Sequence, residues 1–346
     1  MKFEKSRLET VVPTRIIGPI RINYNNQTEL CHIPMATFEA PLWNSTKRGA
    51  LVSQATSGIY VGVIDDIMTR SIILEASDLR NALTCKFWIE NNRKFIAEAA
   101  EKTSNFAKFR DLLVENVGRL LYVRLAIETG NASGHNMVTD SADLVAELVV
   151  SKCKNIKYVS VSGNYCVDKK ASAINGILGR GKRVSAEITV SRSICRRILK
   201  TTPEKIVDLN TKKNLIGSVL SGGVRTANAH YGNALLAVYL ATGQDAVNIT
   251  EASQGITSAD LSGDCLYFSV NLPNIIVGTV GNGKKLPFAV KNLEQMGCDP
   301  SDPHSSRRLA ALIASAVLCS ELSLMAALGN QGELMRSHRK LERKCE

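Results

Sequence analysis

Between residues 120 and 161 the chain reads LLYVRLAIETGNASGHNMVTDSADLVAELVVSKCKNIKYVSV. Leu120, Tyr122, Arg124 and Ala126 alternate as a strand does, and Thr129-Gly130-Asn131 turns the chain. From about Asp140 to Cys153, Leu144, Val145, Leu148 and Val149 recur at helical spacing, and Ile156, Tyr158 and Ser160 form the next strand. The glycine fingerprint of a dinucleotide-binding unit is missing from its place between a first strand and its helix. Helices crossing short strands without that fingerprint imply a compact α+β unit and not a Rossmann domain.

Working outward, 95–116 reads as a helix, and 1–71 as short strands and turns, with Ile59-Tyr60-Val61-Gly62-Val63 strand-like and Lys47-Arg48-Gly49 a connection. Residues 171–260 read as more helical. Thr202-Pro203-Glu204 is a helix start, and 228–241 an apolar helix carrying Asn228, His230 and Asn233. Residues 264–280 alternate as strands and end in the glycine-rich 278–283, and the last forty residues read as helical. The run 309–328 is long enough to span a bilayer, but Ser315, Ser320, Glu321, Ser323 and six alanines favour a buried core helix. Gly329-Asn330 ends it.

The 346 residues are 45% hydrophobic and 22% charged, which excludes a disordered or collagen-like chain. The start, Met1-Lys2-Phe3-Glu4-Lys5, has no apolar signal core, so the cytoplasm is expected. Nine scattered cysteines without a Cys-x-x-Cys pair offer no metal site and read as reduced thiols. The net charge of +11 suits nucleic acid or phosphate-bearing small molecules, and only 5% aromatic residues argues against a stacking platform for single strands. Residues 176–182 match the phosphate-loop spacing, yet Arg183 stands where a magnesium-binding Ser or Thr belongs.

More telling is SGNYCVDKK at 162–170, where adjacent lysines beside an aspartate are costly unless they face an anion. With it come IPMATFE (33–39), GRGK (179–182), KNLIGS (213–218), NAH with Asn233 (228–233), GQDA (243–246), GTVG (278–281), ELSLMAAL (321–328) and SH (337–338). In this order they resemble 3-hydroxy-3-methylglutaryl-coenzyme A reductase of class I type, from about residue 13 to the end.

The resemblance implies reduction of the acyl-coenzyme A thioester to mevalonate in two hydride transfers, with NADPH as donor, NADH as the alternative, and release of coenzyme A. It implies an α+β fold. A large mixed substrate and dimerisation domain (1–71 and 172–346) would carry a small inserted ferredoxin-like, non-Rossmann cofactor domain (72–160), joined by an active-site loop at 161–171. Glu39, Lys169, Asp245 and His338 would be catalytic: Lys169 against the oxyanion, Asp245 holding Lys169 charged and coupling it to Glu39, Glu39 as an acid, His338 protonating the thiolate. The substrate carboxylate would meet Arg70, Ser162, Lys170 and Lys213, with Asn233 and His230 nearby. Ser45, Arg48 and Lys200 would contact coenzyme A. Asn131, Ser133, Gly134, His135, Asn136, Met137, Asp168, Gly281 and Arg343 would bind the nicotinamide cofactor. The expected assembly is a homodimer or higher homo-oligomer with shared active sites, without nucleic acid, membrane or metal.

The departures are specific. The family's Glu-Asn-Val-Ile-Gly element falls on Glu4-Lys5-Ser6-Arg7-Leu8. The cofactor motif DAMGMNM reads NASGHNM, Asn105 replaces an arginine that reads the 2′-phosphate, and Lys344 stands at a regulatory serine. The alternatives are the same chemistry run towards mevalonate breakdown, or a basic nucleic-acid-binding protein.

Overall fold

The protein, seen in a computed structural model, is described over residues 10–342. It opens with a hairpin, β1 (Thr14–Tyr24) and β2 (Gln27–Ala36). Asn25 and Asn26 turn it at positive φ, a conformation that asparagine tolerates better than most side chains. Helix α1 (Ala40–Ala55) and strand β3 (Ile59–Ala76) follow, then α2 (Leu79–Asn91), α3 (Arg93–Glu101), β4 (Lys108–Val117), β5 (Leu120–Glu128), α4 (His135–Lys152) and β6 (Ile156–Val161). The remaining strands are β7 (Gly181–Ser191), β8 (Thr226–Ala227), β9 (Gly255–Ser262) and β10 (Cys265–Ile275).

β3 serves two groups of strands. Its first half pairs parallel with β1 and antiparallel with β7, within the order β2-β1-β3-β7-β10-β9-β8. Its second half pairs antiparallel with β5 and β6, and β5 with β4. Only β1/β3 and β8/β9 are parallel among the named pairs, so the sheet is mixed.

Two cores form accordingly. The larger surrounds helix Ser305–Leu328, which is long and apolar enough to cross a membrane but is 94% buried inside the protein over its most apolar stretch. Burial on all sides explains why a helix with so little polarity occurs here. α1 lies so close to it that a Cβ on Gly49 would stand 2.1 Å from the Cys319 carbonyl oxygen. The smaller core joins β3's second half, β4, β5 and β6 to α2, α3 and α4 through Ile72, Leu74, Ile89, Ile96, Leu125 and Val145.

Four local expectations are corrected. The helix expected at 95–116 ends at Glu101; a turn follows and β4 begins at Lys108, because pairing with β5 buries Leu112 and Val114 on one face. The N-terminal strands and turns include the sixteen-residue α1, started by Pro41 in its first turn. The more helical 171–260 contains β7, at the centre of the sheet. α4 begins at His135, five residues before the expected start, with Gly134 as its cap. The phosphate-loop match at 176–182 is no such loop: Lys182 is 2% exposed and pairs with Asp66 at 3.2 Å.

Candidate active site

The loop at 162–170 is held in an unusual backbone. Ser162, Asn164, Val167 and Lys169 all have positive φ, and for β-branched Val167 (φ 43) that is strained. The surroundings enforce it. The Cys166 amide donates to Ser71 Oγ at 3.2 Å, Asn175 Nδ2 donates to the Val167 carbonyl at 2.8 Å, and the Lys169 amide donates to Glu251 Oε1 at 2.5 Å.

Glu251 and Arg180 are both fully buried, with Arg180 Nη1 at 2.8 Å from the carboxylate. The other arm, Arg180 Nη2, reaches Asp168 Oδ1 at 3.1 Å, and Arg70 approaches Asp168 Oδ2 at 3.5 Å. Burial would raise the Asp168 pKa, but Arg180, His135 and Arg70 outweigh it and hold the carboxyl below its usual range. Arg180 falls in the stretch GRGK and in the misleading phosphate-loop match, but neither these nor the isolated Glu251 signals the buried pair in the sequence.

Lys169 then projects its ammonium to Asp245 Oδ2 at 2.9 Å, both side chains being partly exposed. Asp245 caps the short turn after it by accepting from the Val247 amide. Burial opposes ionisation of Asp245, but Lys169 and that amide lower its pKa overall. Lys170 folds back onto the Asp168 carbonyl at 3.3 Å, and Ser162 sits at the loop's entrance with its amide on the Ser71 carbonyl.

A second group lines a cavity of about 530 Å³: Glu39, Ser45, Arg48, Lys213, His230, Asn233 and His338. Glu39 stands at the N-cap position of α1 without a side-chain bond to the helix, and accepts from Asn233 Nδ2 at 2.9 Å. Lys213 lies in the π-helical stretch Asn210–Gly217, a geometry common at functional sites. His230 precedes helix Tyr231–Ala241, and its Nε2 meets Ser320 Oγ at 3.1 Å. Its backbone is fixed by Glu321, fully buried, which accepts from the Ala229 and His230 amides and from Thr257. His338 is carried by helix Glu333–Glu342.

Arg48 differs from the expectation of a coenzyme A contact alone. It pairs with Glu333 at 2.6 Å and donates to Ser323, so an incoming phosphate competes with a carboxylate for it. Ser45 also bonds Ser323. Lys200 is exposed and does not line the cavity; its carbonyl accepts from Asn330. No ion pair joins Glu39 to Lys169 within one chain among the described residues, so the expected link from Glu39 through Asp245 to Lys169 is not made there. Arg343, Lys344 and residues 4–8 lie outside the described residues.

The third group flanks α4. Asn131 is committed to its own chain: Nδ2 donates to the carbonyls of Pro300 and Asp302, and Oδ1 accepts from the Ser306 amide. Ser133 and Gly134 lead into the helix start, Asn136 is exposed, and Met137 packs on the smaller core. His135 Nε2 lies 3.7 Å from Asp168 Oδ1 without a hydrogen bond. Burial, then the charge of Arg180, lowers the His135 pKa to about 4.

These residues fit an anionic dinucleotide. No side chain caps α4 and no acid occupies its first turn, leaving backbone N–H groups and the positive end of the helix dipole open. Facing it, the turn at 278–283 approaches so closely that a Cβ on Gly278 would stand 2.6 Å from the Ser133 amide. Gly281, at φ 98, has open space where a side chain would be. Thr279 Oγ1 is buried there without a partner.

The chain thus sets an anion-ready helix start near a lysine–aspartate pair, with a separate cavity lined by Glu39, His230 and His338. Comparison with known proteins gives the family. Residues 8–343 match the family model for hydroxymethylglutaryl-coenzyme A reductase, and the chain belongs to that family. It is 40% identical over 338 residues to the 3-hydroxy-3-methylglutaryl-coenzyme A reductase of Pyrococcus abyssi, covering 96% of this chain and 82% of that one. The Methanocaldococcus jannaschii reductase is 39% identical with the same coverage, 96% and 82%. Among solved structures, a class II reductase from Streptococcus pneumoniae bound to NADPH in open conformations shares the fold with a TM-score of 0.76 at 18% identity, covering 94% of this chain and 87% of that one.

Proposed function

We propose that the chain reduces 3-hydroxy-3-methylglutaryl-coenzyme A to mevalonate, with the acyl-coenzyme A in the cavity of Glu39 and His338 and the cofactor between α4 and the turn at 278–283. The observation that carries the reading is the Lys169–Asp245 pair at 2.9 Å on a backbone forced into place. NADPH supplies the hydride for each of the two reductions. Lys169 offers an ammonium to the carbonyl oxygen as negative charge develops on it, and Asp245 keeps that ammonium charged and aimed. His338 gives a proton to the departing coenzyme A thiolate, while Glu39, steadied by Asn233, serves the aldehyde step as acid. Arg70, Lys170 and Lys213 neutralise the substrate carboxylate.

We further infer that 72–160 forms an inserted, ferredoxin-like and non-Rossmann cofactor domain. The large domain would comprise 1–71 and 172–346, with 161–171 as the connecting active-site loop. The separate smaller core and the antiparallel strands around β5 support this. Two copies sharing each site explain why Lys169 and the Glu39 cavity are not joined within one chain. Leu215, Ile216, Val219 and Leu220, exposed beside Lys213, supply an apolar surface for the contact. A cytoplasmic location is part of the same proposal, in keeping with eight unpaired cysteines among the described residues.

Lys169→Ala tests the centre of this reading. An oxyanion donor is worth about 3–4 kcal/mol, so turnover should fall several hundred-fold while coenzyme A ester binding persists. Near-normal turnover would reject the assignment.

A further inference from the structure

Lys284 is a buried cation that the chemistry above leaves unused. It is only 8% exposed, and among the described residues it has no carboxylate within ion-pair distance. Its ammonium has one polar contact, to Ser133 Oγ at 3.5 Å, at the outer limit of a hydrogen bond. Asp245 acts on it only as a more distant charge, and burial pushes its pKa down. A lysine buried without a carboxylate costs stability, so the position is best explained by a negative group that arrives with a ligand.

The surroundings identify that group. Ser133 immediately precedes Gly134, the uncapped start of the eighteen-residue α4. Lys284 follows Gly281-Asn282-Gly283, where Gly281 leaves open space, and the buried Thr279 hydroxyl of the same turn lacks a partner. A cation, free helix N–H groups and an unpaired hydroxyl are thus gathered where this turn packs against the start of α4. A Cβ on Gly243 would stand 2.3 Å from the Gly283 carbonyl oxygen, so the turn that carries Lys284 packs on the one that carries Asp245, the partner of Lys169, at the catalytic end where the nicotinamide half of a dinucleotide must lie. The phosphates nearest that half are the diphosphate, whereas the 2′-phosphate sits at the far, adenosine end.

We propose that Lys284 clamps the cofactor's diphosphate against the start of α4. The inference rests on the cofactor placement given above, and its test separates the two. NADPH and NADH are titrated by fluorescence into wild type, Lys284→Met and Lys284→Arg, with inorganic diphosphate as competitor, and the thermal midpoint of each ligand-free protein is recorded. Lys284→Met should bind both dinucleotides about tenfold to a hundredfold more weakly, the effect of losing one charge-assisted contact. Diphosphate should compete less well in that variant, and Lys284→Arg should recover most of the affinity. The ligand-free midpoint of Lys284→Met should equal or exceed that of wild type, since an unpaired buried charge is gone. Unchanged binding in Lys284→Met would overturn the proposal. So would a loss confined to NADPH, or a fall in the ligand-free midpoint matching the loss of affinity. Wild type binding neither dinucleotide would overturn the cofactor placement itself, and the proposal with it.

Discussion

His135 shows what burial does to a single side chain. Buried beside Arg180, it has its pKa lowered to about 4, against about 6.5 in an unfolded chain. Above pH 6.5 both states are neutral and the full stability is present. As pH falls from 6.5 towards 4, the unfolded chain binds a proton that the folded chain refuses, so stability is lost across that window. Asp168, lowered below its usual carboxylate range, acts only at more acid pH. Urea midpoints at pH 7, 5.5 and 4.5 should therefore fall steadily in wild type and less steeply in His135→Gln. Equal slopes would show that His135 is not the group responsible. At this scale the sequence was informative about residues whose types are costly unless used, such as Lys169 beside Lys170, and about those that line the cavity. It was silent about Arg180, Glu251 and Lys284. Their significance lies in being buried, which no local pattern announces.

Elements were legible where one chain segment settles its own conformation. β5, β6 and helix Ser305–Leu328 fell where alternation or continuous apolarity placed them. β4 was not legible, because its apolar residues also suit a helix and only the partner strand β5 decides. Nor was the 162–170 backbone, whose positive φ values are imposed by Ser71, Asn175 and Glu251 from elsewhere in the chain. Gly49 was read as part of a connection; it is where α1 meets helix Ser305–Leu328. Gly49→Ala forces a methyl group onto the Cys319 backbone, and neither helix can yield without shifting the core. The expected cost is at least about 3 kcal/mol, measured by denaturant unfolding. A loss below about 1 kcal/mol would mean that the two helices slide apart freely.

For the whole molecule the question is how the Lys169 loop and the Glu39–His338 cavity come together. Neither Lys169→Ala nor His338→Gln chains should be active alone. If two copies share each site, mixing and reassembling them should restore activity, because some sites then receive both intact residues. Activity no greater than the parents' sum would place the two residues in one chain. The most direct test of the whole account is stoichiometric. Purified protein is given 3-hydroxy-3-methylglutaryl-coenzyme A and NADPH, and absorbance loss is followed together with free thiol. Two hydride transfers and one released coenzyme A require two NADPH consumed per thiol freed. Thiol release without NADPH loss, or a ratio of one with an aldehyde accumulating, would contradict the account.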